Sequence, residues 1–152
     1  HSKNMRTGLV IIIGVWILFS CQEIKDCELE SSRDDVIVKF YDIDTVTNVR
    51  EVTFDQIDVF NLTDTSLRND TITSIGLPLQ SQTRQITYMF TIDTLEYDLT
   101  MKYTPHLRIY YDECDPIYSY KLDTVYSNEF DSVVLVNKVL DYAVPTNVEI
   151  YF

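Results

Sequence analysis

Two runs decide the fold class: Gln85-Ile86-Thr87-Tyr88-Met89-Phe90-Thr91-Ile92 and, after Asp93, Thr94-Leu95-Glu96-Tyr97-Asp98-Leu99-Thr100-Met101-Lys102-Tyr103-Thr104. In the first, Ile86, Tyr88, Phe90 and Ile92 fall on one side of an extended chain, with Thr87, Met89 and Thr91 on the other. In the second, Leu95, Tyr97, Leu99, Met101 and Tyr103 alternate with Glu96, Asp98, Thr100 and Lys102. Strand side chains point to opposite faces with a period of two, so each run buries one face and wets the other. A helix would need apolar residues three and four apart. Only Asp93-Thr94 separates the runs, and so short a link pairs them as an antiparallel hairpin.

The pattern continues outward from the hairpin. Pro105-His106 is read as a break, followed by Leu107 to Asp112 with Leu107, Ile109 and Tyr111 inward and Cys114-Asp115-Pro116 as its end. Ile117 to Tyr126 is a further strand, and Ser132 to Asn137, apolar on both faces, reads as a central one. Asn147 to Phe152 alternates again. On the other side lie Val36 to Tyr41, Phe54 to Leu62 (Ile57 and Val59 opposite Asp58 and Phe60), and Ile72 to Leu79. Pro78 cannot donate to a ladder and marks that last run as an edge. About eight or nine strands at hairpin-like spacing favour an all-β fold, a single antiparallel β-sandwich of immunoglobulin-like or related topology. A closed barrel is the alternative.

The start of the chain is of another kind. Lys3 and Arg6 precede an uncharged apolar segment, Gly8 to Phe19, then Ser20 and Cys21. About 12 apolar residues suit an export signal and fall short of the ~20 of a spanning helix. Leu18-Phe19-Ser20-Cys21 resembles the bacterial lipobox, with Phe19 larger than that pattern prefers. The expectation is a signal peptide over 1–20, a lipidated tether over 21–33 beginning at Cys21, and the β-sandwich over 34–152. An uncleaved anchor or a plain secretory signal is the alternative.

The chain carries 12 basic and 24 acidic side chains. Without residues 1–20, which hold Lys3 and Arg6, 10 basic remain against 24 acidic, a net charge of −14. Phosphate backbones require a basic face, so nucleic acid is not the partner, and an anionic membrane surface is disfavoured too. Abundant Tyr and Phe (11 and 7) exclude a disordered acidic chain. Gly76 is the one glycine after the leader, which leaves no material for glycine turns or a phosphate-cradling loop. With Cys21 assigned to lipid, Cys27 and Cys114 remain as a disulfide pair suited to an oxidising compartment.

A lipidated cysteine with a second soon after it, a β-rich domain, the run Phe130-Asp131-Ser132-Val133-Val134-Leu135-Val136-Asn137 and the closing Asn147-Val148-Glu149-Ile150-Tyr151-Phe152 together resemble an uncharacterised family of Bacteroidetes lipoproteins. The resemblance covers most of 21–152. It implies an outer-membrane lipoprotein, periplasmic or surface-facing, and brings no catalytic residues. Asp followed by Thr or Ser and an aliphatic residue also resembles the O-glycosylation acceptor pattern of exported proteins of that phylum, at Thr45, Thr71, Thr94, Thr124 and Ser132. The same tripeptide is what a turn running into a strand looks like.

Catalytic chemistry is poorly provided for. His106, the one histidine after the leader, reads as a surface turn residue without a base-orienting partner. Asp42 to Asn48 places oxygen donors at alternate positions but lacks the glycine and distal glutamate of a calcium loop, and Asp112-Glu113-Cys114-Asp115 is a similar local cluster. No metal site and no cofactor are expected. Tyr41, Phe60, Tyr110 and Tyr151 fall opposite their strands' apolar rows, where outward rings could meet a glycan. The expectation is therefore a membrane-anchored binding or assembly module with an envelope protein or glycan partner. A glycan-binding accessory lipoprotein and an enzyme using acidic residues are the alternatives.

Overall fold

The computed structural model describes residues 33–66, 68–109, 112 and 114–152. Eleven strands follow in order: β1 Asp35–Tyr41, β2 Val52–Thr53, β3 Gln56–Val59, β4 Leu62–Asp64, β5 Thr71–Ile72, β6 Ser74–Pro78, β7 Gln85–Ile92, β8 Leu95–Arg108, β9 Ile117–Tyr126, β10 Ser132–Leu135 and β11 Val148–Tyr151. They form an open five-stranded sheet, β4-β3-β7-β8-β9, an open four-stranded sheet, β10-β11-β1-β6, and a short β2-β5 ribbon. Neither main sheet closes into a barrel. The fold is all-β and sandwich-like.

The hairpin has the register its sequence implies, from Ile92↔Leu95 to Gln85↔Lys102. Ile86, Tyr88, Phe90 and Ile92 are all buried. The turn is made without glycine: Asp93 and Thr94 both take left-handed backbone, φ 50° and 69°. Phe60 and Asn61, between β3 and β4, do the same at 49° and 62°. Two consecutive left-handed residues give the twist a two-residue hairpin needs. Without glycine each costs about 1 kcal/mol or more. Asp55 supports the first turn, accepting the Thr94 N–H at 3.4 Å while its own N–H donates to Thr91 at 2.8 Å.

Three sequence readings need correction. The Pro105-His106 break is absent, because β8 runs through it to Arg108 while pairing with β9. The Tyr103 N–H donates toward β7, to Arg84 O at 3.0 Å, so two residues on the missing N–H of Pro105 also points that way. β7 stops pairing at Gln85, opposite Lys102, and the ladder there needs no donor. His106 accordingly lies exposed on a strand. Of the residues expected inward, Leu107 near the end of β8 and Ile109 just past it are 53% and 61% exposed, because the β8–β9 arm runs on past the last β7 pairing, and Tyr111 lies outside the described residues. Ser132 to Asn137, read as central, supplies the edge strand β10. Its inward residues are Val133 and Leu135, and its outward Val134 is 43% exposed.

One ladder also departs from the antiparallel rule. β1 and β11 run parallel, Val38↔Val148 to Tyr41↔Tyr151, while β6 flanks β1 antiparallel with Pro78 at the sheet edge. Both sheets feed one core: Val36, Val38, Phe40, Leu77, Val148 and Ile150 from one, Ile86, Phe90, Leu99, Met101 and Leu122 from the other. Five phenylalanines close a ring across the layers. Their centroid distances are 5.6 Å (Phe40–Phe54), 5.2 Å (Phe54–Phe90), 6.2 Å (Phe90–Phe130), 5.0 Å (Phe130–Phe152) and 6.1 Å (Phe152–Phe40). All lie in the range of favourable tilted and edge contacts.

Asn147 staples the four-stranded sheet. Fully buried, its Oδ1 accepts Arg33 Nη2 at 2.7 Å and Ile37 N–H at 3.1 Å, while Nδ2 donates to Asn137 O at 3.2 Å and Val139 O at 3.0 Å. That saturates the amide. The segment so held crosses to the other sheet, where Leu122 N–H donates to Lys138 O at 2.8 Å. Arg33, the last residue of the expected tether, is thus buried within this network.

Candidate functional site

Parity puts Lys39 and Tyr41 of β1 and Glu149 and Tyr151 of β11 on the outward face of the four-stranded sheet. The parallel register makes them neighbours, Lys39↔Glu149 and Tyr41↔Tyr151. β10 extends the rows with Ser132 beside Tyr151 and Val134 beside Glu149. The two tyrosine rings stack at 5.3 Å and 22°. Lys39 Nζ lies 5.5 Å from the Tyr41 ring, and Tyr151 donates its hydroxyl to Glu149 Oε2 at 2.8 Å. That bond to a carboxylate holds the Tyr151 hydroxyl protonated above the usual tyrosine range. The result is a mixed face: two half-buried rings, an exposed valine and an opposed charge pair.

The four outward aromatics expected from sequence are not gathered. Tyr41 and Tyr151 meet, Phe60 sits in the β3–β4 turn of the other sheet, and Tyr110 lies outside the described residues. Thr45, Thr71, Thr94 and Thr124 are exposed and Ser132 is half-buried. Thr45 and Thr94 are in loops, whereas Thr71, Thr124 and Ser132 are strand residues, Thr71 sharing a hydroxyl bond with Thr53 at 3.1 Å. Cys21 and Cys27 lie outside the described residues, and Cys114 is buried near the end of the β8–β9 hairpin.

The oxygen-rich loop after β1 closes on itself. Asp42 N–H donates to Asn48 O at 3.1 Å, Asn48 N–H donates to Thr45 O at 2.7 Å, and the Asp42 carboxylate faces Arg50 at 4.0 Å. Arg50 also lies over the Phe152 ring at 4.0 Å and donates to the Phe152 carbonyl, which commits its guanidinium to structure. Asp112 and Asp115 are exposed, and Glu113 lies outside the described residues. Among the described residues no group of three or more His, Cys, Asp or Glu is arranged to hold a metal ion.

A carboxyl pair escaped the sequence reading. Asp98 was assigned to the wet face of β8 by alternation, yet it is 8% exposed. The connection after β9 folds over it: Oδ1 accepts Asn128 N–H at 2.7 Å and Ser127 Oγ at 3.0 Å, and Oδ2 accepts Asn128 Nδ2 at 2.9 Å. Glu129 bonds to the Asp98 carboxyl and accepts its backbone N–H at 3.0 Å. Burial opposes charge on Asp98, but the bonds from Glu129, Asn128 and Ser127 outweigh it and hold the carboxyl below the ordinary range. Glu129, bonded to that carboxylate, is pushed up. The only sequence signal was Ser127-Asn128-Glu129, a turn rich in short polar side chains.

A family model, described as a family of unknown function, DUF6452, matches residues 56–152. The chain belongs to this family. The DUF6452 match spans β3 to β11 and begins after β1, although β1 lies inside the four-stranded sheet, so the folded unit is larger than the matched span. No curated protein and no solved structure matches the chain.

Proposed function

We propose that this DUF6452 chain is a lipid-anchored protein of the bacterial envelope, attached through Cys21 and acting as a binding or assembly module rather than as an enzyme. The observation that carries the binding role is the outward face of the four-stranded sheet, where Tyr41, Tyr151 and Val134 adjoin Lys39 and Glu149. Aromatic and aliphatic area beside a few fixed charges is what protein partners dock on. The Asp98–Glu129 carboxyl pair is hydrogen-bonded together and used to fasten a turn. It lacks the ~5–10 Å gap that a glycosidase pair keeps around its substrate.

A glycan ligand is the second reading, favoured by the tyrosines beside Glu149. Against it, the rings stack on each other and offer no flat platform. Cys27 with Cys114 is the disulfide that goes with export; Cys114 is disulfide-bonded, and Cys21 and Cys27 are the only other cysteines in the sequence. Thr45 and Thr94, exposed and in loops, are the most accessible of the glycan acceptor candidates.

The acylated protein, extracted from membranes with its companions, tests the proposal. A partner retained by wild type and lost by the double variant Tyr41→Ser/Val134→Asp, with lipid and fold intact, supports the face. A partner held equally by both rejects it, and a wild type with no acyl chain on Cys21 rejects the anchor.

A further inference from the structure

We infer that the projecting end of the β8–β9 hairpin is a second membrane contact, which stands the sandwich on the bilayer with this arm down and the Asp93–Thr94 turn farthest from it. The inference rests on the Cys21 anchor and the Cys27–Cys114 bond proposed above.

The arm is defined by where pairing stops. β7 leaves β8 at Lys102, whereas the β8–β9 ladder continues to Arg108↔Ile117. Burial fades along it on one face. On β8, Tyr103 is 1% exposed and Leu107 53%, and Ile109, just past the strand's end, is 61% exposed; on β9, Tyr120 is 7% exposed and Tyr118 41%. Leu107 pairs directly with Tyr118, so these side chains make one patch that continues the core row beyond the core.

Chain length supplies the occupant. Cys21 and Cys27 are six residues apart in sequence, a reach of at most about 20 Å. A bond from Cys27 to Cys114, which lies between β8 and β9 at the arm's end, therefore keeps the patch close to the acyl chains. Leucine, isoleucine and tyrosine suit the boundary between water and hydrocarbon. With a net charge of −14 after the leader, and with Asp112 and Asp115 exposed beside the patch, anionic headgroups repel the protein, so the contact is apolar and persists or strengthens as salt screens that repulsion.

Trp16, the chain's one tryptophan, lies in the leader, which makes an introduced tryptophan a clean reporter. The acylated full protein carrying I109W is reconstituted into phosphatidylethanolamine–phosphatidylglycerol vesicles with brominated acyl chains. Its emission is expected to be blue-shifted and quenched at low and high salt. L95W, at the opposite end of β8 from the arm and about 45 Å away by strand rise, is expected to stay unquenched. Leu95 is itself 59% exposed, so neither reporter disturbs the core. Peptide masses from the same sample establish the acyl chain and the disulfide. If both are present and I109W is unquenched, the membrane contact is overturned and the anchor stands. If either is missing, the inference falls with its premise, and equal quenching of I109W and L95W overturns the orientation.

Discussion

The two ends of β8 are built from the same alternating pattern and have opposite properties. Near Leu95 the strand lies against the ring of phenylalanines, Tyr97 stacking on Phe130 at 4.8 Å, and a folded-over turn buries even the polar Asp98. Near Leu107 the same parity leads into solvent, past a tyrosine whose hydroxyl ties the edge of the core to the Gln80 and Thr83 segment. Tyr103 donates to Gln80 O at 2.9 Å, accepts Gln80 N–H at 3.2 Å and bonds Thr83 Oγ1 at 2.7 Å. Alternation reports which face a residue takes. Whether that face is covered depends on how far the opposite layer reaches.

The contrast is testable by stability. Phe90→Ala opens a cavity inside the phenylalanine ring, at a residue with no exposed surface, and should cost about 3–5 kcal/mol in chemical denaturation. Ile109→Ala on the arm should stay within about 0.5 kcal/mol of wild type. Equal costs would erase the distinction between the two ends. Asn147→Ala is expected to lose about 3 kcal/mol, since it strands the Ile37 N–H, two carbonyls and Arg33 in a buried site. An undiminished midpoint would show that water replaces the amide.

Tyr103→Phe, at the boundary between the ends, keeps the ring and removes the hydroxyl bonds to the Gln80 and Thr83 segment. About 1 kcal/mol should be lost, with hydrogen exchange quickened around Gln80 and nowhere near Phe130.

The smallest effect is a pH dependence at the Asp98 turn. Glu129 has a raised folded value, so its contribution is complete below the ordinary glutamate value of 4.5 and fades as pH rises through the raised one. Asp98 has a lowered value, so its contribution holds above 3.8 and fades only as pH falls through that lowered value. Wild type should therefore weaken as pH rises from about 4.5 through the raised Glu129 value. Glu129→Gln, which keeps a donor toward Asp98 at every pH, should flatten that slope. Parallel stability–pH curves for the two proteins would dismiss the Glu129–Asp98 bond as the source of the slope.

Much of this was readable from residue order. The Gln85–Thr104 hairpin, its two-residue turn and the edge position of Pro78 follow from period and proline chemistry alone. Pro105 misled because a proline interrupts only a ladder that needs its N–H, and the neighbour that would have asked for it had already ended. Val134 and Val136 misled because exposed valines imitate a strand covered on both sides. Tyr41 and Tyr151 were each assigned an outward face by parity, but their meeting depends on a parallel pairing that no local pattern encodes. Asp98 was hidden for a related reason: the turn that buries it lies some 30 residues farther along the chain.

The parallel pairing of β1 with β11 sets an order of events. Ile37 bonds a residue 110 positions away, so the middle of the four-stranded sheet cannot be zipped until nearly the whole described chain is present. The β7–β8 hairpin needs only its own neighbours and can form early, whereas β1 must wait beside β6 with one edge bare. Long loop closure makes that last step slow. A chain threaded outward from its amino end would emerge with β1 first and its permanent neighbour last. For that interval the bare edge has to be kept from strands of other molecules.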